Sequence, residues 1–204
     1  MKHIKTLGLL AVAVMALAAF FGTASASAAT FTAGASGKKI NETTLANHVF
    51  SVTGNKTECT NITYTGSTEG TDTSAQMVTP KYEGCTAFGF AATVTVTNCT
   101  YNLLASGEVK VEKAGGAEAC SITIKVNNVF AQCEVTIGAQ NIASAVTYSN
   151  GSGDIVVKVN ASTIKDEVKV SSGLCPLTKG THSNSSYTGE STVQAEGTTL
   201  AFDA

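Results

Sequence analysis

The chain has 204 residues, 14% charged and 43% hydrophobic, with a formal charge of −2. All 13 basic residues are Lys, and Arg and Trp are both absent. A net negative chain with no arginine fork and no lysine-rich block excludes nucleic-acid binding, which needs a concentrated basic surface.

In chain order, Lys2, His3 and Lys5 precede the uncharged apolar run from Leu7 to Phe21, and the small residues Gly22 to Ala28 follow. Basic start, short apolar centre and Ala-x-Ala end describe a secretory signal peptide, cleaved after Ala26 or Ala28. The apolar run falls short of the roughly 20 residues that a spanning helix needs. Residues 1–28 are therefore assigned as signal peptide and 29–204 as one all-β domain in the secreted or cell-envelope compartment, large enough for its own core.

Beyond Thr30, apolar residues recur at every second position and turn clusters punctuate the chain, the pattern of a sandwich or barrel. Strands are predicted at Thr30 to Ala33, His48 to Thr53 and Thr57 to Tyr64, the last two joined at Gly54-Asn55. In the first of that pair His48, Phe50 and Val52 share one face. A polar loop covers Gly66 to Ser74. Gln76 to Glu83 follows, with Pro80 marking an edge or bulge. The stretch Gly84 to Leu104 is central: Thr93-Val94-Thr95-Val96-Thr97 alternates strictly, as a strand with one wet face does. Glu108 to Glu112 comes next. Ser121 to Val126 and Phe130 to Ile137 are predicted to flank an Asn127-Asn128 turn. Ala143 to Tyr148 and Asp154 to Val159 flank Asn150-Gly151, a strong hairpin signal. Ser162 to Val170, Ser185 to Gln194 and Thr198 to Phe202 close the series. The expected fold is an antiparallel β-sandwich or barrel-like sheet of about a dozen short strands. A transmembrane barrel is disfavoured by the 6% aromatic content and by strands too polar for lipid.

The six cysteines, Cys59, Cys85, Cys99, Cys120, Cys133 and Cys175, all follow the signal segment. In an oxidising compartment they pair as three disulfides. There is no Cys-x-x-Cys, and neither His48 nor His182 lies at metal-ligand spacing from a cysteine. Cys59–Cys85 is the best single pair, because the polar segment between them lets its flanking strands lie side by side. Cys99–Cys120 and Cys133–Cys175 complete one set, with Cys120–Cys133 across a hairpin as a rival.

Four segments together, Lys5 to Ala13, Gly84 to Phe90, Cys133 to Ile137 with Gln140, and Gly173 to Pro176, give a likeness over most of the chain. In them the chain resembles a large paralogous group of uncharacterised secreted β-rich proteins from soil actinobacteria. The resemblance implies export, β structure and disulfides, and it carries no activity.

No Gly-x-Ser-x-Gly elbow is present, and Gly34 to Lys38 lacks the register of a phosphate loop. His48 and His182 read as strand or loop residues. No catalytic, cofactor-binding or metal-binding residue is assigned, and no cofactor is expected. The preferred function is a non-catalytic secreted β-domain with a structural, adhesive or binding role toward an extracellular or cell-surface ligand. Two alternatives are kept. Glu58 and Glu83, drawn together by a Cys59–Cys85 bridge, would suit a glycan-cleaving hydrolase. Phe88, Phe90 and Phe130 would line the interior of a small-ligand carrier. A calcium site at Asn150 and Asp154 lacks the usual acidic density. Tyr64, Tyr82, Tyr101, Tyr148 and Tyr187 are either sugar-stacking rings or half-buried strand residues with wet hydroxyls. Asn41, Asn55, Asn61, Asn98, Asn150, Asn160 and Asn184 stand in glycan-acceptor triplets that act as such only where the enzymes exist.

Overall fold

The computed structural model describes residues 28–115, 117 and 119–204, and the predicted signal peptide lies outside them but for Ala28. Alternation every two residues, with β-branched side chains on the inner face, gives an all-β chain with no helix among the described residues. In chain order the strands are β1 (Thr30–Ala33), β2 (Ile40–Val52), β3 (Asn55–Thr65), β4 (Asp72–Thr73), β5 (Ala75–Ala87), β6 (Phe90–Ala91), β7 (Thr93–Thr97) and β8 (Cys99–Leu104). They continue as β9 (Val109–Lys113), β10 (Ser121–Asn127), β11 (Ala131–Gly138), β12 (Gln140–Ile142), β13 (Val146–Asn150), β14 (Ile155–Gly173), β15 (Gly180–Ala195) and β16 (Leu200–Asp203).

Every pairing is antiparallel. The main sheet runs β12-β9-β8-β5-β3-β2-β15-β14-β11-β10-β7, and β16-β1-β4 forms a small second sheet. The main sheet curls upon itself. At one end of the order β7 comes back beside β5, and at the other β12 approaches β14. Two side-chain bonds help to close that second seam: Gln140 donates to the Lys165 carbonyl and accepts from the Lys165 amide, both at 2.9 Å. The result is a half-barrel with an apolar interior and polar outer faces, the inverse of a lipid-facing barrel.

Strand length differs from expectation. Four strands run 13 to 19 residues, because bulges interrupt the alternation without ending the strand. In β2 the register to β15 shifts between Thr188 and Glu190 and again before Ser191, and Leu45, Ala46 and Asn47 all point outward. That break hides residues 40–47 from an alternation count. In β14 the shifts around Ala161 and Ile164 divide one strand into two apparent ones. Pro80 fits its site. The β5–β8 ladder ends at Val78, so the missing N–H leaves no rung unmade there.

Two turns are displaced. The β2–β3 turn is Thr53-Gly54, both at positive φ as a primed hairpin turn requires. The β10–β11 turn is Val129-Phe130 rather than Asn127-Asn128, since Asn128 and Ala131 exchange reciprocal N–H···O bonds at 3.0 and 3.2 Å.

All three disulfides form as Cys59–Cys85, Cys99–Cys120 and Cys133–Cys175, with Cα separations of 4.0, 4.8 and 5.6 Å. The first is a cross-strand pair in register between β3 and β5. The second ties β8 to the start of β10, across the curl. The third holds the β14–β15 loop against β11.

Candidate functional site

Inside the curl, β2, β3, β5, β8, β13 and β15 each turn polar or aromatic side chains inward. His48 on β2 is 1% exposed. Its Nδ1 lies 2.6 Å from the Tyr187 hydroxyl on β15, and its Nε2 lies 3.0 Å from the Ser191 hydroxyl two rungs along. Both ring nitrogens are therefore bonded in either tautomer. Burial lowers the His48 pKa to about 4, so the ring is neutral at ordinary pH. Gly189 lies between these partners, and its lack of a side chain is what admits the ring, since a Cβ there would stand 2.3 Å from Nδ1.

The chain of contacts extends in both directions. Beyond Ser191 stands Glu42, whose carboxyl burial pushes up despite hydrogen bonds from Ser191 and Thr44. Beyond Tyr187, edge-on at 6.4 Å, stands Tyr82, whose hydroxyl is 2.7 Å from that of Tyr101. Burial raises the pKa of Tyr101 to about 12 and that of Tyr64, Tyr82, Tyr148 and Tyr187 as well, so all five hydroxyls stay protonated. Tyr82, Tyr101, Tyr148 and Tyr187 are half-buried strand residues as expected, but their hydroxyls are bonded within the protein rather than wet. Tyr82, Tyr101 and Tyr187 bond within the protein, Tyr148 donates to the Leu104 carbonyl at 3.1 Å, and Tyr64 is 4% exposed. None stacks its ring on an open sheet face, as sugar binding would need.

His48, Tyr64, Tyr82, Tyr101 and Tyr187 border a cavity of about 70 Å³, otherwise lined mainly by aliphatic side chains such as Ile124, Val157 and Ile164. Sites for drug-sized ligands run to roughly 300–1,000 Å³, and even benzene was taken up by an engineered cavity of about 150 Å³. The space is too small for such a ligand. The expected ligand lining is also not there: Phe130 is 65% exposed on a turn, while Phe88 and Phe90 pack on the small cluster of Ala87, Val126, Ala131 and Cys133, Phe88 touching the main core as well, and neither lines the cavity.

Glu58 and Glu83 both point outward from the β3–β5 pair. The Cys59–Cys85 bridge draws their strands together, but in that ladder Glu58 faces Thr86 and Glu83 faces Asn61. Glu58 accepts from the Asn47 amide at 2.6 Å. Glu83 accepts from Asn61 at 3.2 Å and pairs with Lys81 at 2.6 Å. The bonds from Lys81 hold Glu83 below its ordinary range, opposite to what a general acid needs.

Asp166, 3% exposed, accepts from Ser185, and burial raises its pKa. His182, facing Asp166 in register, bonds the Thr178 carbonyl at 3.0 Å. Asn150 spends both ends of its amide on the backbone of Phe202. Asp154 meets Gln194 at 3.4 Å. Among the described residues no group of three or more His, Cys, Asp and Glu is placed to hold a metal ion.

Chemically, a serine hydroxyl on a neutral imidazole resembles half of a nucleophile–base pair. Here Ser191 is 1% exposed, and a tyrosine hydroxyl rather than an acid occupies the second ring nitrogen. The network orders the interior and holds its protons. Sequence alternation places His48 and Tyr187 inward but carries no sign that they meet. That follows from the β2–β15 register, in which Tyr187 faces Phe50 and the bulge at Gly189 opens the space. No protein-family model, curated protein or solved structure matches the chain.

Proposed function

We propose that the protein is an exported β-domain, secreted or held in the cell envelope, that acts by binding or by structural support and performs no catalysis. Three disulfides, with no cysteine left free, suit an oxidising compartment. The observation that carries the reading is how polar groups divide between inside and outside. In the interior His48 bonds Tyr187 and Ser191, and Tyr82 bonds Tyr101. The outer face of β2, β3 and β5 presents hydroxyls and amides together with the balancing charges of Lys56, Lys81, Glu58 and Glu83, and Asn47–Glu58 and Asn61–Glu83 bridge neighbouring strands. Such a face of paired donors and acceptors, with no net charge, fits an extended polar surface, such as a wall polysaccharide, better than a small charged ligand.

The test is retention of the oxidised protein on insoluble cell-wall polysaccharide and peptidoglycan, with soluble reducing sugar measured in the same tubes. Retention without product is expected, and an Asn61→Lys/Thr63→Lys variant should be released. Product that accumulates with the parent protein and disappears in Glu58→Gln and Glu83→Gln would replace this reading with a hydrolase.

A further inference from the structure

Three of the large apolar side chains exposed among the described residues stand together at one end of the barrel. Val129 is 89% exposed, Phe130 65% and Leu174 66%. Val129 and Phe130 are the two central residues of the β10–β11 turn, where Gly, Asn or Asp is the usual choice. Leu174 joins them, its amide donating to the Phe130 carbonyl at 2.7 Å.

The tip is held firmly from behind. Cys133–Cys175 anchors the residue after Leu174, and the Ser171 hydroxyl donates to the Leu177 carbonyl. Gly173, at positive φ, lets the two loops touch, because a Cβ there would lie 2.2 Å from the Phe130 carbonyl oxygen. Three apolar side chains on the tips of two adjoining loops form a protrusion rather than a groove.

Charge is distributed along the same axis. The turns at this end and the rungs beside them carry Lys56, Lys125, Lys169 and Lys179 against Glu58, Glu134 and Glu167, since Glu58 faces Thr86, Glu167 faces Thr181 and Lys169 lies between the partners of Gly180 and Glu134. Glu134 is itself paired with Lys125 at 3.8 Å. The loops at the opposite end, 34–39, 66–74, 105–108, 150–154 and 196–204, carry six carboxylates, from Glu69 to Asp203, against Lys38 and Lys39. The molecule is acidic at one pole, and at the other it is apolar with its surrounding charges nearly balanced. An anionic surface would orient it tip first.

We infer that this end docks on an anionic phospholipid surface, with Val129, Phe130 and Leu174 entering the headgroup–acyl boundary and the lysines meeting phosphates. The inference rests on the exported reading above. Its test uses the oxidised protein secreted by an expression host, sedimented with phosphatidylcholine vesicles that contain or lack phosphatidylglycerol. Binding is expected on the phosphatidylglycerol vesicles, to weaken with added salt, and to fall about ten-fold or more in Phe130→Ser/Leu174→Ser. All three substituted-protein disulfides should map as in the parent, since both side chains are surface groups. Equal binding by parent and variant, or none by the parent, overturns the inference. So does tip-dependent self-association without vesicle binding. Export itself is read separately, from thiol titration of the secreted material, so failure of one is not failure of the other.

Discussion

Gly189→Ala is the sharpest probe of the buried network. The added methyl would lie 2.3, 2.6 and 2.7 Å from Nδ1, Cε1 and Cγ of His48, distances that demand movement. The ring has nowhere to go, because Tyr187 and Ser191 hold its two nitrogens and it is 1% exposed. Overpacking costs about 1–3 kcal/mol. Displacing the ring from one partner leaves a buried nitrogen unpaired for roughly another 1–3 kcal/mol. The gain from replacing a strand glycine is only about 0.5–1 kcal/mol. A net loss of roughly 1–5 kcal/mol would lower Tm by about 2–20 °C in a domain of this size. The assay is thermal unfolding followed by circular dichroism, with Gly138→Ala as control, since a Cβ at Gly138 meets nothing within 4 Å. In a His48→Ala background the Gly189→Ala cost should largely vanish, which a double-mutant cycle would register as coupling. Equal Tm values for Gly189→Ala and Gly138→Ala would refute the packing argument.

Two further outcomes concern pH and the disulfides. An unfolded histidine takes its proton near pH 6.5 and folded His48 only near 4, so His48 favours the fold fully above pH 6.5 and loses that advantage as pH falls toward 4. The loss is about 3 kcal/mol, and urea midpoints at pH 7 and pH 4 should drop further for the parent than for His48→Gln. Burial holds Glu42 and Asp166 above the usual carboxylate range, so they change in the opposite sense, and the difference between parent and variant isolates His48. Replacing Cys133 and Cys175 by Ala should cost about 4 kcal/mol in chain entropy for a 42-residue separation, and replacing Cys99 and Cys120 about 3 kcal/mol for 21. Urea unfolding of the two double variants gives the order.

Much of the architecture was legible because its signals are local. Alternation located β7, β9 and β13, Asn150-Gly151 located a hairpin, and a polar segment between Cys59 and Cys85 was enough to pair them. What escaped is non-local. The bulges in β2 and β14 put consecutive residues on one face, so two long strands read as short or divided ones. The Val129-Phe130 turn escaped because its residues continue the apolar pattern of a strand, and only the Asn128–Ala131 exchange shows the reversal. The apolar pattern accordingly places Phe130 inside, whereas the turn leaves it 65% exposed. The interior network needs the partners of His48 across β2 and β15, which no spacing along the chain reveals.

The small sheet has a topological consequence. Because Thr30 pairs with Asp203, the first and last strands of the domain lie edge to edge at the acidic pole, away from the Phe130 turn. A few glycines and serines should suffice to splice residue 203 onto residue 30, and new ends opened at Thr53-Gly54 would interrupt only a two-residue reversal. A circularly permuted chain should therefore fold to the same barrel, with its ends moved to the pole that carries Phe130.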